Sequence, residues 1–308
     1  MRTKVRVHPV VAALMSVALL AAPGVAQQKG ASSWSAVESA LGRKGAMNPG
    51  NVIKFSFPRS DLNVSVGGVT LKPALALGGW VAFKDLGDGQ AMAMGDLVLT
   101  EDEVSSVMGA LQAGGVEQTA LHNHLLTESP RVMYMHILGH GDPAKIARAI
   151  HDALAQSKTP LGPAPAPTAP SAAGLDTAGI AKALGVAGKL NGVVYQVSVP
   201  RSEKIVEMGQ EVPPSMGVAT SINFQPTGGG RAAITGDFVL QGSEVNPVIR
   251  ALKGHGIDVT ALHSHMIDEQ PRLYFMHFWA NDDAVRLATG LRAALDQTKS
   301  KKSQSRVP

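Results

Sequence analysis

Residues 34–41 and 177–184 carry apolar side chains at helical spacing and predict short amphipathic helices. The first is followed by runs at 52–57, 62–69 and 79–83, broken by glycine and proline, which predict strands and turns. Residues 91–99 read as a further strand. Thr100 and Glu103 are spaced as a capping box and start a helix to about residue 113, where Gly114-Gly115 stops it. Residues 117–126 predict a strand, the segment around Pro130 a short turn, and 131–138 the returning strand. Asp142-Pro143 caps a last helix with Ile146, Ile150 and Leu154 on one face. The order β-α-β-β-α predicts an α+β fold. Its antiparallel sheet carries helices on one face, a ferredoxin-like core with extra N-terminal strands.

The pattern occurs twice. From Gly95 the chain reads GDLVLTEDEVSSVMGALQAGGVEQTALHNHLLTESPRVMYMH, and from Gly236 GDFVLQGSEVNPVIRALKGHGIDVTALHSHMIDEQPRLYFMH. The offset is 141 and 20 of the 42 aligned positions are identical. FPRS at Phe57 matches VPRS at Val199 with a one-residue shift. The chain is therefore a tandem duplication, residues 33–158 and 175–300. The Ala/Pro-rich stretch 159–174 between them reads as an extended linker, and the Lys/Ser-rich end, 301–308, as a disordered basic tail.

Histidines hold their places in both copies: His122, His124 and His136, then His263, His265 and His277. Apolar neighbours change between the copies while these do not. On a strand, residues i and i+2 share a face, about 7 Å apart. A hairpin pairing 122 with 136 would bring the third imidazole beside them, and 263 with 277 repeats the arrangement. Three imidazoles on one face can hold three positions of a divalent transition-metal site in each repeat, with zinc the expected ion. The bland alternative is a polar face or a set of packing histidines. In the intervening turn, Glu128 and Glu269 are candidates for a fourth ligand, a partner that orients an imidazole, or a general base, and Arg131 and Arg272 candidate binders of an anionic substrate group. An intra-turn salt bridge explains the same residues without function. Asp96 and Asp237, each after Gly at a strand start, either reach the site or accept from turn amides, the second being the preferred reading. Glu103 and Glu244 read as helix caps, and Arg59 and Arg201 as anion clamps or surface charges.

Composition narrows the possibilities. The formal charge is +4, but seven of the 28 basic residues lie at the two ends and no acidic ones do. The body therefore holds 21 basic against 24 acidic residues, a net −3. No concentrated basic face is present, which argues against nucleic-acid binding. Arg2, Lys4 and Arg6, the apolar run 10–22 and Gly24-Val25-Ala26 predict a signal peptide, residues 1–26. There is no cysteine, hence no disulfide, thiolate site or lipid-modified cysteine. The expected product is a soluble periplasmic or secreted protein without a membrane anchor.

The motif TALHNHLLTESPRVMYMH, repeated as TALHSHMIDEQPRLYFMH, resembles the bacterial LppY/LpqO family across nearly all of the mature chain. The resemblance implies export; the lipobox cysteine of the family's mycobacterial namesakes is missing, so their anchor does not carry over. His122-x-His124-x3-Glu128 is also similar to the first cupin motif, but the helical segments argue against a jelly roll. The resulting expectation is an exported metal-binding protein whose partner is a small-molecule or anionic ligand, with metal-dependent hydrolysis as its chemistry. The alternative is a non-enzymatic periplasmic ligand- or metal-binding protein. Whether the copies form two sites or one shared site is open at this level.

Overall fold

The computed structural model describes residues 34–163 and 169–301, together with Met1. The expected signal peptide lies outside the described residues, as do the centre of the linker and residues 302–308. Within each repeat, a six-stranded antiparallel sheet forms. In the first, the strands lie in the order Ala46–Asn48, Val52–Pro58, Gly78–Gly87, Gln90–Thr100, Val132–Gly141, Glu117–His122. The second runs Lys189–Asn191, Val194–Pro200, Ala219–Gly228, Arg231–Leu240, Tyr274–Asp283, Asp258–His263, the same order. The last three strands of each sheet, with helices Val104–Ala113 and Pro143–Leu154 or Gly242–Gly254 and Ala284–Leu295, form the ferredoxin-like unit. The N-terminal strands extend it as a meander.

Helix termini follow local chemistry. Asp142 accepts hydrogen bonds from the amides of Ala144 and Lys145, ahead of Pro143. Gln241 and Glu244 form a full capping box, Glu244 Oε2 accepting from Gln241 N at 2.7 Å. In the first repeat Glu103 Oε2 accepts from Thr100 N at 2.9 Å, but the Thr100 hydroxyl turns to Asp102 and the helix begins at Val104, so the expected box is half formed. The expected strand at 62–69 is instead a small hairpin, Ser65–Val66 with Val69–Thr70. Gly67 and Gly68 take positive φ there and turn the chain too soon for a long strand.

Each sheet buries one face under its own helices. Phe55, Phe83, Leu97, Leu111, Ile137 and Ile150 belong to that core in the first repeat, and Phe224, Phe238, Leu252, Phe278 and Leu291 in the second. The opposite faces cover each other. Val52, Met92, Met94 and Leu138 of the first repeat cluster with Met216, Val239, Met266 and Phe275 of the second. Val98, Val132 and Tyr134 cluster with Val194 and Ala233. The layers are helix, sheet, sheet, helix, which explains why 91–99 is buried on both faces rather than alternating. The segment 64–77 reaches across the interface. Gln225 accepts from Lys72 N and donates to Thr70 O, both at 2.8 Å, and Gln196 donates to Ala74 O at 2.8 Å.

Arg59 and Arg201 are neither anion clamps nor surface charges. Arg59 is fully buried; it donates to Val98 O and Glu103 at 2.7 Å and to Asp61 at 2.8 Å. Arg201 repeats this with Val239 O, Glu244 and Glu203. Each ties the end of an early strand to the start of the first crossover helix. The same glutamates hold the chain leaving the last helix, through Lys158 N and Lys299 N, both at 2.8 Å.

Candidate metal centre between the sheets

The register places the histidines on the face that meets the other sheet. His122 pairs with Tyr134 rather than with His136, which pairs with Ala120 after a bulge between Gln118 and Ala120. This two-residue displacement from the expected pairing keeps His122 and His136 on one face, because side chains alternate with period two. The strand ends at His122, so His124 lies in the following bend instead of on the strand. In the second repeat His263 pairs with Phe275 and His277 with Ala261, the same arrangement.

Because these faces pack together, the six imidazoles form one cluster in place of one isolated set per repeat. His122 and His263 stack at a centroid distance of 3.5 Å. His124 stacks on His277 at 3.8 Å and His136 on His265 at 3.6 Å, contacts related by exchange of the two repeats. Aromatic walls close the sides: Tyr134 on His124 at 3.3 Å and its counterpart Phe275 on His265 at 3.6 Å. Tyr134 donates its hydroxyl to Ala76 O at 2.9 Å. A void the size of about one water molecule lies beside His136 and His265, walled by Trp80, Met216 and Phe275.

Two hydrogen bonds choose tautomers. His277 Nδ1 donates to Gly236 O at 2.8 Å and His122 Nδ1 to Asn123 O at 3.1 Å, which leaves the Nε2 lone pairs free. Nε2 of His122, His124, His136 and His277 and Nδ1 of His263 are buried without a hydrogen-bond partner. His263 and His265 bring their Nε2 atoms to 2.9 Å. Ligand nitrogens of His122, His263, His265 and His277 all lie within 4.8 Å of one another, as do those of His122, His124 and His136. Around a four-coordinate ion with metal–nitrogen bonds of about 2.0–2.1 Å, nitrogens lie about 3.4 Å apart, so either set would have to draw in around an ion.

Asp96 and Asp237 belong here too, and their reading as turn acceptors is corrected. Each sits inside a long strand, paired with His136 and His277 respectively. Asp96 lies 3.8 Å from His136 Nε2 and 3.9 Å from His124 Nε2; Asp237 lies 3.8 Å from His265 Nε2. One oxygen of each carboxylate is buried without a hydrogen-bond partner. The glycine–aspartate pair was visible in both repeats, but the residue's position mid-strand was not. Lys54 was also missed; its Nζ lies 3.8 Å above the Trp80 ring and donates to Ser215 O of the other repeat at 3.1 Å.

Burial sets the electrostatics. It pushes His122 down to about 4, against the Asn123 carbonyl, and His277 to about 3. His124, His136 and His265 are pushed down by burial and by the other imidazoles. Burial lifts Asp96 to about 7, opposed by Lys54, and lifts Asp237 with help from Asp96. The site resists positive charge on its rings and negative charge on its carboxylates. A cation coordinated by both relieves the second penalty and uses the free lone pairs that the first maintains.

The turn candidates sit differently in the two copies. Glu269 is buried and accepts from Leu273 N at 2.8 Å and Arg272 Nη1 at 3.2 Å, the intra-turn bridge. Arg272 also donates to Ile267 O at 2.9 Å. Glu128 likewise accepts from Val132 N, but its Oε2 is buried without a hydrogen-bond partner, and burial raises its pKa. Arg131 is exposed, 3.9 Å from Glu101. Both turns contain a cis peptide bond before proline, Ser129-Pro130 and Gln270-Pro271.

The family model described as Domain of Unknown Function (DUF1259) matches residues 35–156 and again 178–297. No curated protein matches the chain. Among solved structures, the chain is similar to a trimeric bacterial microcompartment shell protein, PduB. That match has 15% identity and a TM-score of 0.22, over 83% of this chain and 92% of the other. EtuB from Clostridium kluyveri matches at 11% identity and a TM-score of 0.23, over 82% and 90%. No helix among the described residues is long and apolar enough to cross a membrane.

Proposed function

We propose that this chain, which belongs to the family described as Domain of Unknown Function (DUF1259), binds a divalent transition metal between its two repeats. Its signal-like N-terminus and LppY/LpqO-like motifs make it an exported member, working in the periplasm or outside the cell. The observation that carries the reading is the convergence of six imidazoles, five of which bury a ring nitrogen without a hydrogen-bond partner. Packing alone does not account for it, because an unsatisfied buried polar atom costs about 1–3 kcal/mol, and several are gathered here. Neutral imidazoles suit zinc best among abundant ions without redox demands, and zinc is the ion we assign.

Binding of metal, without turnover, is the simpler role for a centre enclosed by two sheets. Metal-assisted hydrolysis has one specific observation in its favour: Glu128 keeps a carboxylate oxygen free to accept a proton, whereas Glu269 is engaged by its own turn. In that reading the exposed Arg131 receives an anionic substrate, and the metal supplies Lewis acidity.

Elemental analysis of the untagged mature protein tests the proposal. It is run beside a His122→Ala/His124→Ala variant and its counterpart, His263→Ala/His265→Ala. Metal in the parent, reduced in both variants, is expected. A parent that holds no metal even after reconstitution with zinc would sink it. Hydrolysis further requires a Glu128→Gln variant that keeps its metal and loses turnover of a screened substrate.

A further inference from the structure

We infer that the centre holds two ions, each closed by an aspartate: one on His122, His124, His136 and Asp96, the other on His263, His265, His277 and Asp237. The inference rests on the metal-binding reading above and goes beyond it in nuclearity and in the identity of the oxygen donors.

The first argument is donor number. Six imidazoles and two carboxylates meet between the sheets, and a single zinc ion in a protein site takes about four ligands. One ion would leave at least half of these buried donors unused. The second is reach. Two atoms bonded to one four-coordinate ion at about 2.0–2.2 Å lie about 3.3–3.6 Å apart. Asp96 Oδ1 is 3.8 Å from His136 Nε2, and Asp96 Oδ2 is 3.9 Å from His124 Nε2. Asp237 Oδ2 is 3.8 Å from His265 Nε2. These distances are too long for a hydrogen bond and within a few tenths of an ångström of the span that a shared ion sets.

The third argument is the exchange relation between the copies. His122 and His136 have His263 and His277 as counterparts at the same strand register, Asp96 has Asp237, and His124 and His265 each follow two residues after the strand end, so a donor set built on one side exists on the other. His122 lies within ligand distance of both sets, but its Nδ1 is committed to Asn123 O, so its Nε2 serves one ion at a time. Three nitrogens and one carboxylate oxygen per ion make closed four-coordinate sites, the kind that retain metal rather than leave a position for substrate.

Cobalt(II) titration of the metal-stripped full-length mature protein tests this. Visible absorption reports coordination number, being intense for four-coordinate and weak for six-coordinate cobalt. Two equivalents with the intense spectrum are expected in the parent. Asp96→Asn and Asp237→Asn are isosteric, and each should weaken one equivalent at least about tenfold while leaving the other. The parent's stoichiometry decides the matter even if a variant fails to fold. One equivalent in the parent, or two that both Asp→Asn variants bind as the parent does, overturns the two-ion assignment while leaving metal binding intact. No cobalt bound at all removes both.

Discussion

Acidification of the metal-free protein should unfold it at a mildly acidic pH, and bound metal should move that transition lower. The folded state holds His122 at about 4 and His277 at about 3, against about 6.5 in an unfolded chain. For such depressed groups, stability is intact above about 6.5 and is lost as pH falls toward the folded values, since only the unfolded chain takes up protons. His122 alone accounts for about 3 kcal/mol over that interval, at about 1.36 kcal/mol per pH unit. The two aspartates work the other way. Asp96, lifted to about 7, binds a proton in the folded state that the unfolded chain releases above about 3.9, and Asp237 is displaced in the same direction. Burial and the neighbouring imidazoles also hold His263 at about 2, so between about pH 4 and 6 the unfolded chain binds about three protons at His122, His263 and His277 and the folded chain one at Asp96. The difference of two gives a slope of about 3 kcal/mol per pH unit, which the other three imidazoles, pushed down in the same way, steepen. A stability in the lower part of the usual range, roughly 5–10 kcal/mol, is then exhausted within about two to three units below 6.5, which puts the midpoint between about pH 3.5 and 4.5. Far-UV circular dichroism against pH, with chelator and with zinc, measures it. A His124→Gln/His265→Gln variant, which carries two fewer titrating rings, should unfold at lower pH than the metal-free parent. A metal-free parent still folded at pH 3, or one whose midpoint ignores both zinc and the glutamines, would refute the reasoning.

Other consequences are equally direct. Arg59→Met should cost about 3–5 kcal/mol in chemical denaturation, because it leaves Glu103 buried and unpaired, and Arg201→Met should cost about the same through Glu244. The arginine holds Glu103 below the usual carboxylate range despite burial, so the stability this pair adds is present above about 4.5 and should disappear as pH falls below it. Tyr134→Phe should lose about 1 kcal/mol with the bond to Ala76 O and leave zinc affinity unchanged in calorimetric titration, since Phe275 already fills the equivalent place. Gly236→Ala should lower the melting temperature and weaken zinc binding together. Its Cβ would collide with the backbone of Ser221, and its carbonyl orients His277.

Much of this protein was legible before any fold was known. Period changes located the helices at 35–41, 104–113, 143–154 and 177–184, because helix and strand faces impose 3.6 and 2 on burial. The duplication and the invariant histidines came from comparing the chain with itself. Even an incorrect pairing of 122 with 136 led to the correct face, since a two-residue shift preserves it. Local pattern had no means of telling an aspartate at a turn from one buried opposite a histidine, or an exposed arginine from Arg59, since neither difference alters the neighbouring residues. The joining of two histidine sets into one centre was likewise outside its reach. Periodicity states that a face is covered but not by what, and the cover here is the other repeat, 141 residues away. What the sequence by itself determined was which side chains share a face; the packing of sheet on sheet decided that those faces meet, and with them the histidines and aspartates.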